Sequence, residues 1–483
     1  MNESKQMSAR ERIENLLDDN SFVEIGAKVS ARATDFNMAG KETPADGVVT
    51  GYGVIDGRVV YIYSQDIKVL NGAVGEMHGR KISRIYDLAI KTGSPVIGMI
   101  DCAGMRLQEA TDALDAFGEL YLKQVQASGV IPQITAVFGT CGGGAALIPA
   151  LSDFTLMTKK TAKLFVNSPN ALDGNEISRC DTSDAVYQAE AGLADVLGED
   201  DSEVIAKIRA LLAFLPSNNT DIIYDECQDD LNRENPAVAD MKDTAVLLKD
   251  IADNYNFYEV KSMYGKEMVT GFIKLDGMTV GAVANRSEIL DDEGEVKAKL
   301  EPVLTTGGAR KAAGFVKFCD AFGIPVLTLV NVKGYKATKH EERTIAKAAA
   351  DMTAAYAQAT VPKVSVVIGE AFGSAYLTMC SKHIGADIVY AYPDAKIGMM
   401  NAESAVKIIY ADEIAASDNA GELIAEKAAA YDELQTSPLS AAGRGYIDDV
   451  IEPAATRKRV LAAFEMLCDK DMDRVAVKKH TTI

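Results

Sequence analysis

The run Thr140-Cys141-Gly142-Gly143-Gly144-Ala145 places three consecutive glycines between an apolar segment, Gln133-Ile134-Thr135-Ala136-Val137-Phe138, and a helix-like one, Ala145-Ala146-Leu147-Ile148. Glycine lets a backbone turn sharply and lets a ligand reach the main chain with no Cβ in the way. The N–H groups in the first turn of a following helix have no partner inside it and lie at the positive end of its dipole. Two such donors suit an oxygen that gains negative charge during a reaction, and Gly143 and Gly144 are the first candidates. A Gly-rich turn also serves plain chain reversal, so the run alone does not decide.

The arrangement occurs twice. A shift of 230 positions lays Pro132 on Pro362, Gly139 on Gly369, Gly143 on Gly373, Ala145 on Ala375 and Leu147 on Leu377. The same shift lays Pro95 on Pro325, Val96 on Val326 and Gly104 on Gly334. Further upstream the offset is 220, with Asp56-Gly57 on Asp276-Gly277, so the second half carries extra residues near Asp291 to Leu304. A period this long means duplication of a domain, not a solenoid.

The elements that must position these turns read as alternating strands and helices. Residues 8–20, with Ser8 as a possible N-cap, predict an amphipathic lead-in helix. Two β-rich runs, Val48 to Val54 and Val59 to Tyr63, flank the hairpin signal Asp56-Gly57. Glu76 to Lys91 has helical spacing, Pro95 to Ile100 is a short buried strand, and Asp153 to Met157 is another. Such alternation marks strands covered by helices, with ligands at the carboxyl ends of the strands, where Gly104 and Gly143 fall. Glu190 to Leu215 is expected to close the first half as a helix, and polar Pro216 to Asp243 to be the linker. The second half repeats the plan and ends in a basic-rich helix from Arg457 to Lys479. The expected domains are 1–225 and 245–483.

Composition narrows the function. In 483 residues, 25% charged and 48% hydrophobic, disorder and fibrous classes drop out. A net charge of -20 argues against nucleic-acid binding, so any anionic ligand must find a local basic patch. Seven cysteines show no C-x-x-C pair and no zinc spacing, and no metal is expected. The polar start Met1-Asn2-Glu3-Ser4-Lys5 and the lack of a long apolar run predict a cytoplasmic protein, held at a membrane only through other subunits.

With two backbone donor sites and few histidines, enolate stabilisation is the chemistry suggested. Here the residues become recognisable. The chain resembles the carboxyltransferase subunits of biotin-dependent acyl-CoA carboxylases and decarboxylases. The likeness is carried by Ala9-Arg10-Glu11-Arg12-Ile13, Asp46-Gly47-Val48-Val49-Thr50-Gly51-Tyr52-Gly53, Ser64-Gln65-Asp66, Gly75-Glu76-Met77-His78, Ala127-Ser128-Gly129-Val130-Ile131-Pro132 and Phe318-Cys319-Asp320-Ala321-Phe322-Gly323-Ile324-Pro325. It implies an α/β fold of two tandem crotonase-like domains of the ββα spiral type. Acyl-CoA is expected on the N-terminal domain of one chain and biotin on the C-terminal domain of another.

Carried over residue by residue, Gly143 and Gly144 hold the thioester oxygen, and Ser374 and Ala375 the ureido oxygen of biotin. Ala103, Gly104, Arg106 and Leu377 are expected on the acyl-CoA side, and Gly334, Tyr335, Phe372 and Gly373 around biotin. Arg106, Lys159, Lys160 and Lys163 could attract CoA phosphates or be ordinary surface charge. His78 reads as a structural hydrogen-bonding group and Cys141 as a packing cysteine. Two stretches depart from the family pattern: Asp101-Cys102-Ala103-Gly104-Met105-Arg106 stands where D-S-G-G-A-R is usual, and Asn331-Val332-Lys333-Gly334-Tyr335 where D-V-P-G-F is usual.

No A-M-K-M-like lysine and no P-loop occur in the chain. The resemblance therefore implies a separate biotin carboxyl carrier protein and either a biotin carboxylase or a membrane decarboxylase subunit, with the chain itself in a dimer-based homo-oligomer, a hexamer being expected. The expected reaction moves a carboxyl group between carboxybiotin and a short-chain acyl-CoA of the acetyl or propionyl type. The alternatives are the α subunit of a sodium-pumping methylmalonyl-CoA or glutaconyl-CoA decarboxylase, and a non-catalytic scaffold paralogue.

Overall fold

The computed structural model describes residues 6–32, 36, 38, 40–291 and 293–470. Between Ile222 and Ile223 the chain divides into two compact units.

In the first unit, α1 (Ala9–Leu16) begins with a capping box: the Ser8 side chain accepts from the Glu11 N–H, and Glu11 accepts from the Ser8 N–H. After β1 (Val23–Glu24), the hairpin of β2 (Val48–Ile55) and β3 (Arg58–Gln65) turns at Asp56 and Gly57 with φ of 49° and 81°. Positive φ at both positions gives the turn the twist of its strands. Then come α2 (Glu76–Thr92), β4 (Val96–Cys102), α3 (Ala110–Ala127), β5 (Gln133–Gly142), α4 (Leu147–Leu151) and β6 (Phe154–Thr158). The unit closes with β7 (Lys163–Phe165), α5 (Ala185–Glu190), β8 (Val196–Gly198) and α6 (Asp201–Leu212).

The sheet runs β1-β2-β3-β4-β5-β6-β8, antiparallel up to β3 and parallel beyond it. β5 changes partner along its length: Ile134 to Val137 pair with β6, whereas Thr140 to Gly142 pair with β7. The end of β5 thus exchanges β6 for β7 on one side, while Cys141 still pairs with Cys102 of β4 on the other, just before Gly143.

The second unit repeats this frame. It comprises α7 (Thr244–Ile251), β9 (Phe257–Val260), β10 (Met268–Leu275), β11 (Met278–Asn285), β12 (Glu288–Leu290), β13 (Val296–Lys299), α8 (Thr306–Ala321), β14 (Val326–Val332), α9 (Ile345–Gln358), β15 (Lys363–Phe372) and α10 (Gly373–Thr378). There follow β16 (Ile388–Ala391), β17 (Lys396–Gly398), α11 (Ala402–Ile409), α12 (Ala411–Ala416), α13 (Ala420–Tyr431), α14 (Pro438–Gly443), β18 (Asp449–Val450) and α15 (Thr456–Met466). The sheet order β9-β10-β11-β14-β15-β16-β18, with β17 on the end of β15, matches that of the first unit strand for strand. The register matches too: Tyr61 pairs with Val96 and Val96 with Gln133, as Gly281 does with Val326 and Val326 with Lys363. The extra residues of the second half form the small hairpin β12–β13.

The core of the second unit sets Leu247, Leu248 and Ile251 of α7 against Val269, Ile273, Val280, Leu327, Leu329, Val364 and Val366 of the sheet. Burying each large aliphatic side chain is worth about 1.5–3 kcal/mol, which holds the strand ends in place. Below α8, the fully enclosed Lys311 donates to the carbonyls of Lys261, Tyr264 and Met268 at 2.8, 3.1 and 2.6 Å. Its counterpart Lys81 donates to Ala45 and Val48. Burial lowers the pKa of Lys311 to about 7, but three carbonyl acceptors engage all three ammonium hydrogens and favour the charged form.

Three expectations need correction. Glu190 to Leu215 is not one helix: Val196–Gly198 adds to the sheet edge beside β6, and the helix restarts at Asp201, capped by the Asp200 side chain. The lead-in helix stops at Leu16, short of residue 20. The closing helix runs Thr456–Met466, and the rest of the expected segment from residue 471 onward lies outside the described residues. Among the described residues, no helix is long and apolar enough to cross a membrane.

Candidate active site

Each unit brings three pieces of chain to the carboxyl end of its central parallel strands. In the first unit β5 ends at Gly142, Gly143 takes φ 62°, and a short 3₁₀ turn over Gly143–Ala146 leads into α4. In the second unit β15 ends at Phe372, Gly373 takes φ 63°, and α10 starts there. Left-handed backbone at these two glycines turns the chain away from its strand and into a helical turn, whose first N–H groups have no partner within the helix. A Cβ placed on Gly143 would meet no atom within 4 Å, so the space over that main chain is open. Gly143 and Gly144 are partly exposed, Ser374 is exposed, and Ala145 and Ala375 are buried beneath.

The second piece is the loop after β4 or β14. Gly104 has φ 114° and packs so close to β5 that a Cβ there would stand 3.1 Å from the Gly142 carbonyl oxygen. The Val74 N–H donates to the Gly104 carbonyl at 2.9 Å, and the Arg106 N–H to the Val74 carbonyl at 2.9 Å. The second unit copies this: Gly334 has φ 154°, the Leu304 N–H donates to its carbonyl at 2.9 Å, and the Lys336 N–H donates to Leu304 at 3.0 Å. Ala103 is exposed beside Gly104, whereas Gly334 and Tyr335 are half-buried and Phe372 is buried.

The third piece is the helix face beyond each turn. Leu147 and Leu377 are 39% and 38% exposed at matching positions, which places Leu377 at a surface beside the second turn and not in the core.

Arg106 does not have the surface position expected of it. Its guanidinium is buried, pairing with Asp46 at 2.7 Å and Glu109 at 2.6 Å and donating to the Ala73 carbonyl at 2.8 Å. With both carboxylates claiming it, the side chain is unavailable to a CoA phosphate and instead pins the Gly104 loop to the segment before α2. Burial raises the Asp46 pKa, and the Arg106 charge opposes the rise. Lys159 and Lys163 instead form solvent-facing pairs, with Glu199 at 2.5 Å and with Asp181 and Asp184 at 2.7 and 3.4 Å, and Lys160 is exposed, so these three keep the surface position expected of them.

His78 and Cys141 are structural. The His78 Nδ1–H donates to the Asp46 carbonyl at 2.9 Å, which leaves Nε2 to accept from Gln65 at 3.1 Å. Burial lowers its pKa to about 3, so the ring is neutral. Burial pushes the Cys141 thiol well up, the opposite of an activated nucleophile.

Two neighbours of the turns were not read from the sequence. The Tyr121 hydroxyl donates to the Gly144 carbonyl at 2.7 Å, and a Cβ on Gly144 would lie 3.0 Å from that hydroxyl and 3.1 Å from Met105 Cε. The Met399 carbonyl lies 3.2 Å from where a Gly373 Cβ would stand. Tyr121 sits mid-helix at a spacing that reads only as amphipathic, so no motif marks it.

The model of the carboxyl transferase domain matches residues 2–483. The chain belongs to the carboxyl transferase family. It is 40% identical to the propionyl-CoA carboxylase beta chain of Roseobacter denitrificans, covering 99% of this chain and 94% of that one. It is also 40% identical to the methylmalonyl-CoA decarboxylase subunit alpha of Veillonella parvula, over 99% and 93%. Among solved structures, a chain of transcarboxylase 12S, whose structure is described as a hexamer assembly with hydrolysed methylmalonyl-coenzyme A bound, superposes with a TM-score of 0.93 at 37% identity, over 99% of this chain and 93% of that one. The two units are accordingly the crotonase-like domains of a carboxyltransferase.

Proposed function

We propose that the two glycine turns serve one reaction, the turn of the first unit on one chain facing that of the second unit on a partner chain. The chain is a carboxyltransferase that acts with acyl-CoA, as membership of the family entails. The observation that carries the proposal is the repetition of the turn, φ 62° at Gly143 and 63° at Gly373, within frames of identical strand order.

In this reading the Gly143 and Gly144 N–H groups hold the thioester oxygen of a short acyl-CoA, while those of Ser374 and Ala375 hold the ureido oxygen of biotin. Biotin, brought by a separate carrier, supplies the ureido nitrogen that gives or takes the carboxyl group. Both oxygens gain negative charge as the carboxyl group moves, so the donors stabilise the transition state more than the bound substrates. The open space over Gly143 and the exposure of Ser374 suit ligands that approach the main chain directly. A biotin carboxyl carrier, either a biotin carboxylase or a membrane decarboxylase subunit, and a dimer-based hexamer of this chain complete the assembly. Relatives named for carboxylation and for decarboxylation are equally similar, so either net direction fits the same site.

The test is to incubate the purified protein with free biotin and malonyl-, methylmalonyl- or glutaconyl-CoA and to follow loss of the carboxyl group. Biotin-dependent loss from at least one is expected. Loss from none would favour a non-catalytic scaffold.

A further inference from the structure

We propose that Lys333 recognises the carboxylate in transit at the second glycine turn, and that Glu370 is the internal anion it releases to do so. The inference rests on the functional reading above.

Val332 pairs with Ala371 at the last rung between β14 and β15, so Lys333 and Glu370 flank the end of the sheet immediately before Gly373. Lys333 Nζ lies 3.2 Å from Glu370 Oε2, and the side chains are 52% and 33% exposed. Their backbones are fixed while their charged ends are not. The Lys333 N–H donates to the Pro302 carbonyl at 2.8 Å, and the Glu370 N–H to Asn331 Oδ1 at 3.1 Å. At the equivalent positions of the first unit stand Ala103 and Thr140, which carry no charge. The pair is thus an addition to the second turn and not part of the shared frame.

A solvent-facing pair of this kind holds weakly, so a second carboxylate can displace Glu370 at little cost. The reaction provides one. The transferred group is an anionic carboxylate both on the malonyl-type thioester and on the ureido nitrogen, and neither donor turn contributes a cation through its backbone. Arg106, the cation of the loop that packs on the end of β5 before the first turn, is buried between two carboxylates. Lys333 is placed at the rim of the second.

The sign of the kinetic effect follows. Carbon dioxide is uncharged as it leaves, so an ammonium that holds the carboxylate stabilises the ground state more than the transition state. Lys333 should therefore lower the KM for carboxylated substrates without raising kcat.

The experiment compares the parent with Lys333→Met, Lys333→Arg and Glu370→Gln, changes of side chains that reach solvent and make no contact holding the strands together. It measures kcat and KM for biotin-dependent decarboxylation of malonyl-CoA, and the Kd of acetyl-CoA, which is the same ligand without the carboxylate. Lys333→Met should raise the malonyl-CoA KM about tenfold, with kcat equal or higher and the acetyl-CoA Kd within about twofold. Lys333→Arg should restore most of the affinity, and Glu370→Gln, which removes the competitor, should lower the KM. An unchanged KM, or equal shifts for malonyl- and acetyl-CoA, would overturn the proposal. If the parent transfers no carboxyl group, the functional reading fails, and the Kd of malonyl-CoA against acetyl-CoA in parent and Lys333→Met still decides the subsite. Selective weakening of malonyl-CoA supports it, and parallel values refute it.

Discussion

Asp101 and Asn331 stand 230 positions apart and make the same hydrogen bond: Asp101 Oδ1 accepts the Thr140 N–H at 3.2 Å, and Asn331 Oδ1 accepts the Glu370 N–H at 3.1 Å. Each joins the end of one parallel strand to the next, just before the glycine turn. Their own N–H groups are held alike, by Gln65 Oε1 at 3.2 Å and by Asn285 Oδ1 at 3.1 Å. The charge is needed only in the first unit, where the buried Arg12 lies between Asp101 and Asp201, 3.4 Å from each. Asp101→Asn should keep the Thr140 bond yet leave Arg12 with one carboxylate. A loss of about 1–3 kcal/mol in unfolding free energy is expected, read from urea denaturation. Unchanged stability would mean that Asp201 alone compensates Arg12.

The two glycines of the first turn should respond differently to alanine. At Gly143 the space is open and the cost is that of a left-handed backbone, about 1 kcal/mol. At Gly144 the new methyl would press on the Tyr121 hydroxyl and Met105. Enlarging Gly144 further to valine should lower turnover roughly a hundredfold or more, by displacing a donor from the thioester oxygen. A Gly144→Val enzyme with parental kcat would move the oxyanion site elsewhere.

Leu377, exposed beside the second turn, offers an apolar wall without partners for a charged acyl group. Leu377→Phe should penalise ethylmalonyl-CoA before malonyl-CoA, and Leu377→Ala should do the reverse, by about 1–3 kcal/mol per methylene. The check is kcat/KM for malonyl-, methylmalonyl- and ethylmalonyl-CoA in all three proteins. An unchanged rank order would remove Leu377 from the acyl site.

Asp153 predicts a pH dependence of stability. Burial raises its pKa to about 7, while its carboxylate accepts the Gln133 N–H at 2.8 Å. The folded chain therefore binds this proton more tightly than the unfolded one, and the group's contribution to stability falls as pH rises from about 4 to about 7. Asp153→Asn keeps an acceptor for Gln133 without the charge. Its stability relative to the parent should rise across that window, by at most about 1.4 kcal/mol per pH unit, and level off above it. A difference independent of pH would place the proton elsewhere.

What was legible in the sequence was local or repeated. Asp56-Gly57 and Asp276-Gly277 announce their hairpins through turn chemistry, and the paired glycines at 143 and 373 reveal the duplicated frame by position alone. The burial of Arg106 is not legible, because its partner Asp46 lies 60 positions upstream and burial of an ion pair leaves no mark in composition. The break within Glu190 to Leu215 is not legible either, because Val196–Gly198 is a strand only by virtue of β6 beside it. Helices α12 and α13 bury no residue of their own, so no core-facing apolar stripe marks them in the sequence.

In the proposed function, one reaction uses the Gly143–Gly144 turn of one chain and the Gly373 turn of another. It is tested by subunit complementation. Gly144→Val and Gly373→Val chains, each inactive alone in biotin-dependent decarboxylation of methylmalonyl-CoA, are co-expressed and isolated through a different tag on each. In a mixed pair, one of the two composite sites is built wholly from unaltered turns. The mixed assembly should regain roughly a quarter to a half of the parental activity. Mixed assemblies as inactive as either variant alone would contradict the account.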